Sequence, residues 1–507
     1  MIKFKKIAVL AIAFASFGVW GASSQTASAD VIANPGSAGS ITQVNEGNVL
    51  KDYNQNDINM VQNVGPTGNM SRKYVKSNDT SSSDVFSTID GSSQDNTFST
   101  LFYMPDGFNV SNYQHGNFQS VTMDNDGNLY FVESNGSGTN QGCVAKLDMA
   151  KLKQLGGDKS VSTIWKAFDY FNPYTTQGMA NNNAFDQVEY GIQDSLNTVS
   201  DLTDKINETK SKQDTQETYQ NNAQKWYNYW KNKKSKYAKN SKSYKNAVAK
   251  MAHWSKSYQG HKAKVAGYNK DISNYQGQMS SAQDQIDAVK AQNPEMFKYA
   301  DIAQCFTLSP SVNIGHGQTL TFNPANQHLY LEEDDTLSDL KTDQNNVVLE
   351  MDPNTLKPIR EYNFKMLHSN NGKVSNLQLH TLAFDANGNA YWGRKTGDGY
   401  MFFYGRLDQD GVSFSACMDA IGNRGGATNQ GIAVNQANNR LYFISDDILT
   451  SVPANSIRKS KFSPNDVHYQ AFDSLKEFES LTFDRAGYGY LMTLWPAEIL
   501  KSSDPLN

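Results

Sequence analysis

Gln119-Ser120-Val121-Thr122-Met123-Asp124-Asn125-Asp126-Gly127-Asn128-Leu129-Tyr130 sets the pattern for the chain. A polar residue and a small one open an alternating apolar strand, a tight turn follows, and a second strand starts on an aromatic. Period-two alternation marks a strand, and Asp-Gly supplies the positive φ that a short hairpin needs. The design returns four times. Gln318-Thr319-Leu320-Thr321-Phe322-Asn323 turns through residues 324–327 into Leu329-Tyr330. His380-Thr381-Leu382-Ala383-Phe384-Asp385 turns through Asn387-Gly388-Asn389 into Tyr391-Trp392. Gln430-Gly431-Ile432-Ala433-Val434-Asn435 turns through Asn438-Asn439 into Leu441-Tyr442. Glu479-Ser480-Leu481-Thr482-Phe483-Asp484 turns at Ala486-Gly487 into Tyr490.

Most units continue into a third strand, as at residues 144–148, 347–352 and 403–408. All-strand repeats of this size suit the blades of a propeller. Hairpin repeats also build sandwiches, but one recurring signature favours radial repetition. The expected fold is mainly β: a five-bladed β-propeller, or six-bladed if the region before Phe118 adds strands, with an inserted antiparallel α-helical coiled-coil hairpin. The insertion is read from Phe185, Val188, Ile192, Val199, Leu202 and Ile206, then Val265, Tyr268, Ile272, Tyr275, Met279, Ala282, Ile286 and Val289. Both sets follow 3/4 spacing, and Asn293-Pro294 ends the second helix.

The expected organisation is a signal peptide at 1–29, a Ser/Asn-rich, partly irregular region at 30–106, the propeller at 107–182 and 298–507, and the basic helical hairpin at 183–297. Residues 1–6 hold three lysines, residues 7–21 are apolar, and Ala27-Ser28-Ala29 fits a cleavage site. The apolar run is shorter than the roughly 20 residues of a spanning helix, so no transmembrane span is expected after cleavage. The protein is expected to be secreted and extracellular, with non-covalent attachment to the cell surface as a further option. Cys143, Cys305 and Cys417 are the only cysteines, an odd count that argues for buried free thiols over a disulfide framework. No cofactor or metal site is expected.

The net charge of −5 hides an asymmetry. Residues 225–264 hold twelve lysines and no acid, so the remaining body is strongly acidic. Trp226, Tyr229, Trp230 and Trp254 are interleaved there with Lys233, Lys234 and Lys236. Lysine brings mobile point charge to polyanions, and indole and phenol rings suit interfaces and sugar faces. Anionic wall polymers, glycans or lipid head groups of a bacterial envelope are the expected partners. A solvated helix face explains the same residues more plainly. Nucleic acid fits the charge but not the export.

Gln119, Gln318, His380, Gln430 and Glu479 open the five units, so radial repetition would gather them around one channel mouth. There they either bind a polyhydroxyl ligand, an ion or water, or hydrogen-bond neighbouring blades together. Hydrolysis of glycans needs two placed carboxylates. Only Glu479 is an acid among the five, though Glu133, Glu332, Glu333, Asp446 and Asp447 follow their second strands. A binding role is therefore expected over an enzymatic one. Residues 124–128 resemble the start of a calcium loop but lack its closing acid, and hairpin geometry accounts for them.

Gly317-Gln318-Thr319, Gln430-Gly431, the turn at 124–128 with Leu129-Tyr130, and Glu477-Phe478-Glu479-Ser480 together resemble the helveticin-J-type family of large, heat-labile bacteriocins of lactic acid bacteria. The resemblance covers short blocks over about half of the chain and excludes the helical insertion. It implies a propeller fold and an antagonistic or cell-surface-binding role, and it carries over no catalytic residue. The expected function is a secreted, bacteriocin-like, envelope-binding protein. The alternatives are a propeller glycoside hydrolase acting on wall or extracellular glycans and a structural surface-associated protein.

Overall fold

The structure, a computed structural model, describes residues 39–62, 65, 73–108, 117–134, 140–333 and 339–507. The expected signal peptide lies outside the described residues. The chain divides into two compact units, and the helical one comprises residues 183–294. The other is mainly sheet, built largely from five sheets of four or more strands.

Each sheet begins with one of the repeated hairpins. Sheet one orders Asn117–Met123, Leu129–Ser134, Gln141–Leu147 and Phe306–Leu308. Sheet two orders Leu320–Asn323, His328–Glu332, Asn346–Met351 and Pro358–Lys365. Sheet three starts at Ala383–Phe384, sheet four at Gly431–Asn435 and sheet five at Glu477–Phe483. The hairpin that opens each is antiparallel, as short turns require. The first strands are neighbours in a cycle: sheet one's touches those of sheets two and five, and sheets two to three, three to four and four to five touch likewise.

One turn chemistry recurs where the first strand ends. Asp124 accepts hydrogen bonds from the backbone N–H of Asp126 and Asn128 at 2.8 and 2.9 Å, and from the Tyr130 hydroxyl at 2.8 Å. Asp385 does the same with Asn387, Asn389 and the Tyr391 hydroxyl, and Asp484 with Ala486, Tyr488 and the Tyr490 hydroxyl. Asn323 and Asn435 keep the first of these bonds in sheets two and four. The buried tyrosine thus finds an acceptor inside its own hairpin, which is why Asp and Tyr travel together in the repeat. Gly127, at φ +85°, takes the left-handed position the turn demands.

The small residue after each opening polar residue ties sheets together. Ser120 Oγ accepts from the Leu320 N–H at 2.9 Å, Thr319 donates to the His380 carbonyl at 2.9 Å, and Ser480 donates to the Val121 carbonyl at 3.3 Å. Aromatic packing fills the space between sheets three and four, where Tyr400 and Phe443 stack with centroids 4.2 Å apart.

The described residues between 39 and 106, a region read from sequence as partly irregular with a candidate strand near residues 97–104, lend edge strands to three sheets. Thr42–Asn48 runs parallel to Pro358–Lys365, and Asn59–Val61 runs parallel to Asp419–Ile421. Thr97–Tyr103 pairs with the carboxyl-terminal strand Glu498–Pro505, and Val85–Ser87 pairs with Thr97–Tyr103. An edge offers unpaired N–H and C=O groups, so a polar segment can join through its backbone while its side chains stay wet. The side chains of Thr42–Asn48 are almost all exposed. Lys476 secures the seam between the chain's two ends, reaching Asp84 at 2.8 Å and Glu498 at 3.7 Å.

The helical unit is a long hairpin drawn from α3 (Thr176–Lys234) and α4 (Lys242–Gln292). Phe185, Ile192, Leu202, Ile206, Ala223, Ala247, Ile272, Ala282 and Ile286 are its buried seam. Polar pairs interrupt it, with Ser195 donating to Gln285 at 2.7 Å and His261 Nδ1 lying 2.7 Å from Gln216 Oε1. Such pairs fix register at a cost in stability. Ser241 caps α4 by accepting from the Tyr244 N–H at 3.1 Å, and the helix stops at Asn293 before Pro294. The division from the sheet unit falls at Pro294, three residues before the boundary expected from the sequence.

Candidate functional site

All five opening residues line one cavity of about 990 Å³ in the sheet unit. The equivalent position in each hairpin delivers one polar side chain to it. Gln318 is central: its side-chain amide donates to Gln119 Oε1 at 3.2 Å and to Glu479 Oε2 at 3.1 Å. His380 Nε2 lies 3.1 Å from the Asn429 carbonyl. Gln430 is half-buried at the same wall. The two roles weighed from sequence therefore coexist: these groups bond to one another across sheets and also face a cavity.

Glu479 is buried, and burial pushes its carboxyl well above the usual range, helped by the neighbouring charges of Glu477 and Asp446. The Gln318 bond opposes the shift but does not reverse it.

Glu133, Glu332, Glu333, Asp446 and Asp447 are not among the described residues that line the cavity. Glu133 accepts from the Phe108 N–H at 3.0 Å and from Cys143 Sγ at 3.7 Å, and burial lifts it to about 7. Asp446 accepts from the Tyr74 hydroxyl at 2.9 Å and the Phe478 N–H at 3.1 Å, and burial lifts it to about 6. Asp447 is bonded to Ser474 and to the Leu475 N–H. These carboxyls pin loops.

The cavity also holds residues that no repeat position announces. Trp495 and Glu477 come from the fifth sheet's strand ends, Tyr74 from the amino-terminal region and Trp165 from α2 (Thr163–Tyr170). Arg394 and Asp339 pair at 2.8 Å on its wall. Glu477 opens the same strand as Glu479, and the irregularity between Phe478 and Ser480 lets both line the cavity.

The three thiols are buried and free. Among the described residues, no helix is long and apolar enough to cross a membrane, and no cluster of His, Cys, Asp and Glu could hold a metal.

In the helical unit, Trp226 and Tyr229 are nearly half exposed. Trp226 stacks on Trp254 with centroids 6.0 Å apart, and Tyr229 meets Trp230 edge-on at 5.3 Å. Lys233 lies over the Tyr229 ring and Lys234 over the Tyr244 ring, at 5.7 and 5.6 Å. Lys236 is exposed. Among the described residues, no carboxylate pairs with any of the twelve lysines of residues 225–264.

No protein-family model matches the chain, and no curated protein matches it.

Proposed function

We propose that the five sheets are the blades of a five-bladed β-propeller and that the cavity is a glycan-binding site at the mouth of its axis. The cyclic contact of the five first strands supports the fold. The observation that carries the function is the convergence of Gln119, Gln318, His380, Gln430 and Glu479 on one cavity. Amides, an imidazole and a buried carboxyl are donors and acceptors suited to hydroxyl groups.

On this reading the protein is secreted and binds a bacterial cell envelope. The propeller selects a surface glycan, and the lysine- and aromatic-rich hairpin holds to anionic wall polymers or lipid head groups. An antagonistic, bacteriocin-like role follows from the resemblance read in the repeat. A glycan array and whole-cell binding assay tests the binding, and an inhibition-zone assay on several indicator strains tests the antagonism. Binding to a defined glycan that Gln318→Leu abolishes is the expected result. Equal binding by that variant removes the cavity from the function.

Glu479 favours one second reading. A carboxyl whose proton affinity is raised by burial, beside a second cavity acid, Glu477, suits a general acid of glycoside hydrolysis. Release of reducing sugar from wall glycans, lost in Glu479→Gln, would select that reading over binding alone.

A further inference from the structure

We propose that Trp495 is the stacking platform for a neutral pyranose ring in the cavity, and that the ring displaces the Lys76 ammonium from the indole face. The inference rests on the glycan-binding reading above.

Trp495 lines the cavity and remains partly exposed. Its φ of +71° is a conformation that a bulky L-residue avoids, because its Cβ crowds the backbone. Three contacts hold it there. The indole N–H donates to Glu477 Oε2 at 2.8 Å, and the Trp495 carbonyl accepts from Lys476 Nζ at 2.7 Å. Lys476 is in turn fixed by Asp84 at 2.8 Å. A tryptophan that only filled space would relax and bury its ring. This one is clamped at its edge and backbone while its ring borders the cavity, and such strain concentrates at binding sites.

The face itself is already read by a cation, since Lys76 Nζ lies 3.9 Å from the ring centroid. Lys76 follows Val75, which is exposed and tied by its N–H to the Leu475 carbonyl. A lysine on such a segment leaves the ring at little cost, because its ammonium regains water. What replaces it is set by the surroundings. The Gln119 and Gln318 amides and the buried Glu479 carboxyl match hydroxyl groups, and Arg394 and Asp339 already neutralise each other. An uncharged sugar ring, apolar on its C–H face and polar at its rim, fits both halves of the site.

The test is titration calorimetry of the full chain with chitotetraose, cellotetraose and maltotetraose, with tryptophan emission followed in parallel. One of the three binds. Trp495→Ala weakens that binding by about five- to tenfold. Trp495→Phe keeps most of the affinity but loses the emission change, and Lys76→Ala tightens binding by about two- to fivefold. If Trp495→Ala does not fold, Trp495→Leu keeps bulk without an aromatic face and serves in its place. Unaltered affinity in that variant, with binding still lost in Gln318→Leu, overturns the platform and leaves the cavity reading standing. Unaltered or weaker binding by Lys76→Ala overturns the displacement. Binding of none of the three by the parent protein sinks the glycan reading and the platform with it.

Discussion

The side-chain amide of Gln318 donates to a carboxyl oxygen of Glu479 at 3.1 Å, although the two residues are 161 positions apart. The same amide reaches Gln119, so one residue joins three hairpins. Gln318→Leu leaves two buried acceptors without their donor, which costs about 2 kcal/mol of stability. Gln318→Glu costs more, because it removes the donor and buries a second acid against a carboxyl whose charged form burial already disfavours. Urea unfolding of the two variants gives the order: parent, then Leu, then Glu.

Stability falls as pH rises from about 5 to 8. Burial lifts Glu133 and Glu498 to about 7 and Asp446 to about 6, each above its value in the unfolded chain. Between the two values the folded protein binds more protons than the unfolded one, so raising the pH favours unfolding. The loss begins near the unfolded value and is complete above the folded one. Glu350, held below its usual value by His328, Tyr362 and Arg360, acts in the opposite sense at the acid end. Maximum stability therefore lies near pH 5, as urea unfolding at pH 5 and pH 8 will show. Glu133→Gln flattens the profile and adds about 3 kcal/mol at pH 8, the equivalent of its shift. A profile that rises from pH 5 to pH 8 contradicts these assignments.

The repeated hairpins and the helical seam were legible because each carries its own period. Ala223 and Ala247 were missed because polar residues such as Gln213, Gln216 and Gln220 break the apolar spacing before them, whereas Tyr130, Tyr391 and Tyr490 each stand six residues after the aspartate that binds them. The edge strands were not legible. Thr42–Asn48 joins its sheet mainly through its backbone, and its largely exposed side chains leave no alternation to read. Asn59–Val61 is too short for a pattern. In the cavity, the five opening residues stood out because the repeat made them equivalent. Trp495 belongs to one sheet only, and Tyr74 arrives from a region without periodicity. A sequence repeat reports what all its copies share, and a binding site also depends on what single copies add.

The aspartate of the repeated turn is structural, and calcium does not act through it. Asp124 spends its oxygens on two backbone N–H groups, the Asn128 amide and the Tyr130 hydroxyl. Asp124→Ala strands a buried hydroxyl and loosens the turn, at about 2–3 kcal/mol. Asp385→Ala behaves alike for Tyr391. Thermal unfolding of the parent protein with calcium and with chelator gives the same Tm; a rise of several degrees with calcium would show that the turn binds the ion.

If the proposed envelope attachment holds, charge and aromatic surface at the hairpin tip contribute to it separately, and salt distinguishes them. Lys233, Lys234 and Lys236 act through a screened field, whose reach shrinks from about 10 Å at 0.1 M salt to about 3 Å at 1 M. Trp226 and Trp254 act through removal of apolar surface from water, which salt does not weaken. Changing the three lysines to glutamine preserves helix propensity, so the hairpin itself persists and far-UV circular dichroism is unchanged. That variant loses adsorption to vesicles containing anionic lipid at low salt and matches the parent at 1 M. Replacing Trp226 and Trp254 with alanine lowers adsorption at both salt concentrations. If the lysine variant adsorbs like the parent at low salt, the basic stretch is only a solvated face, and attachment falls to the sheet unit alone.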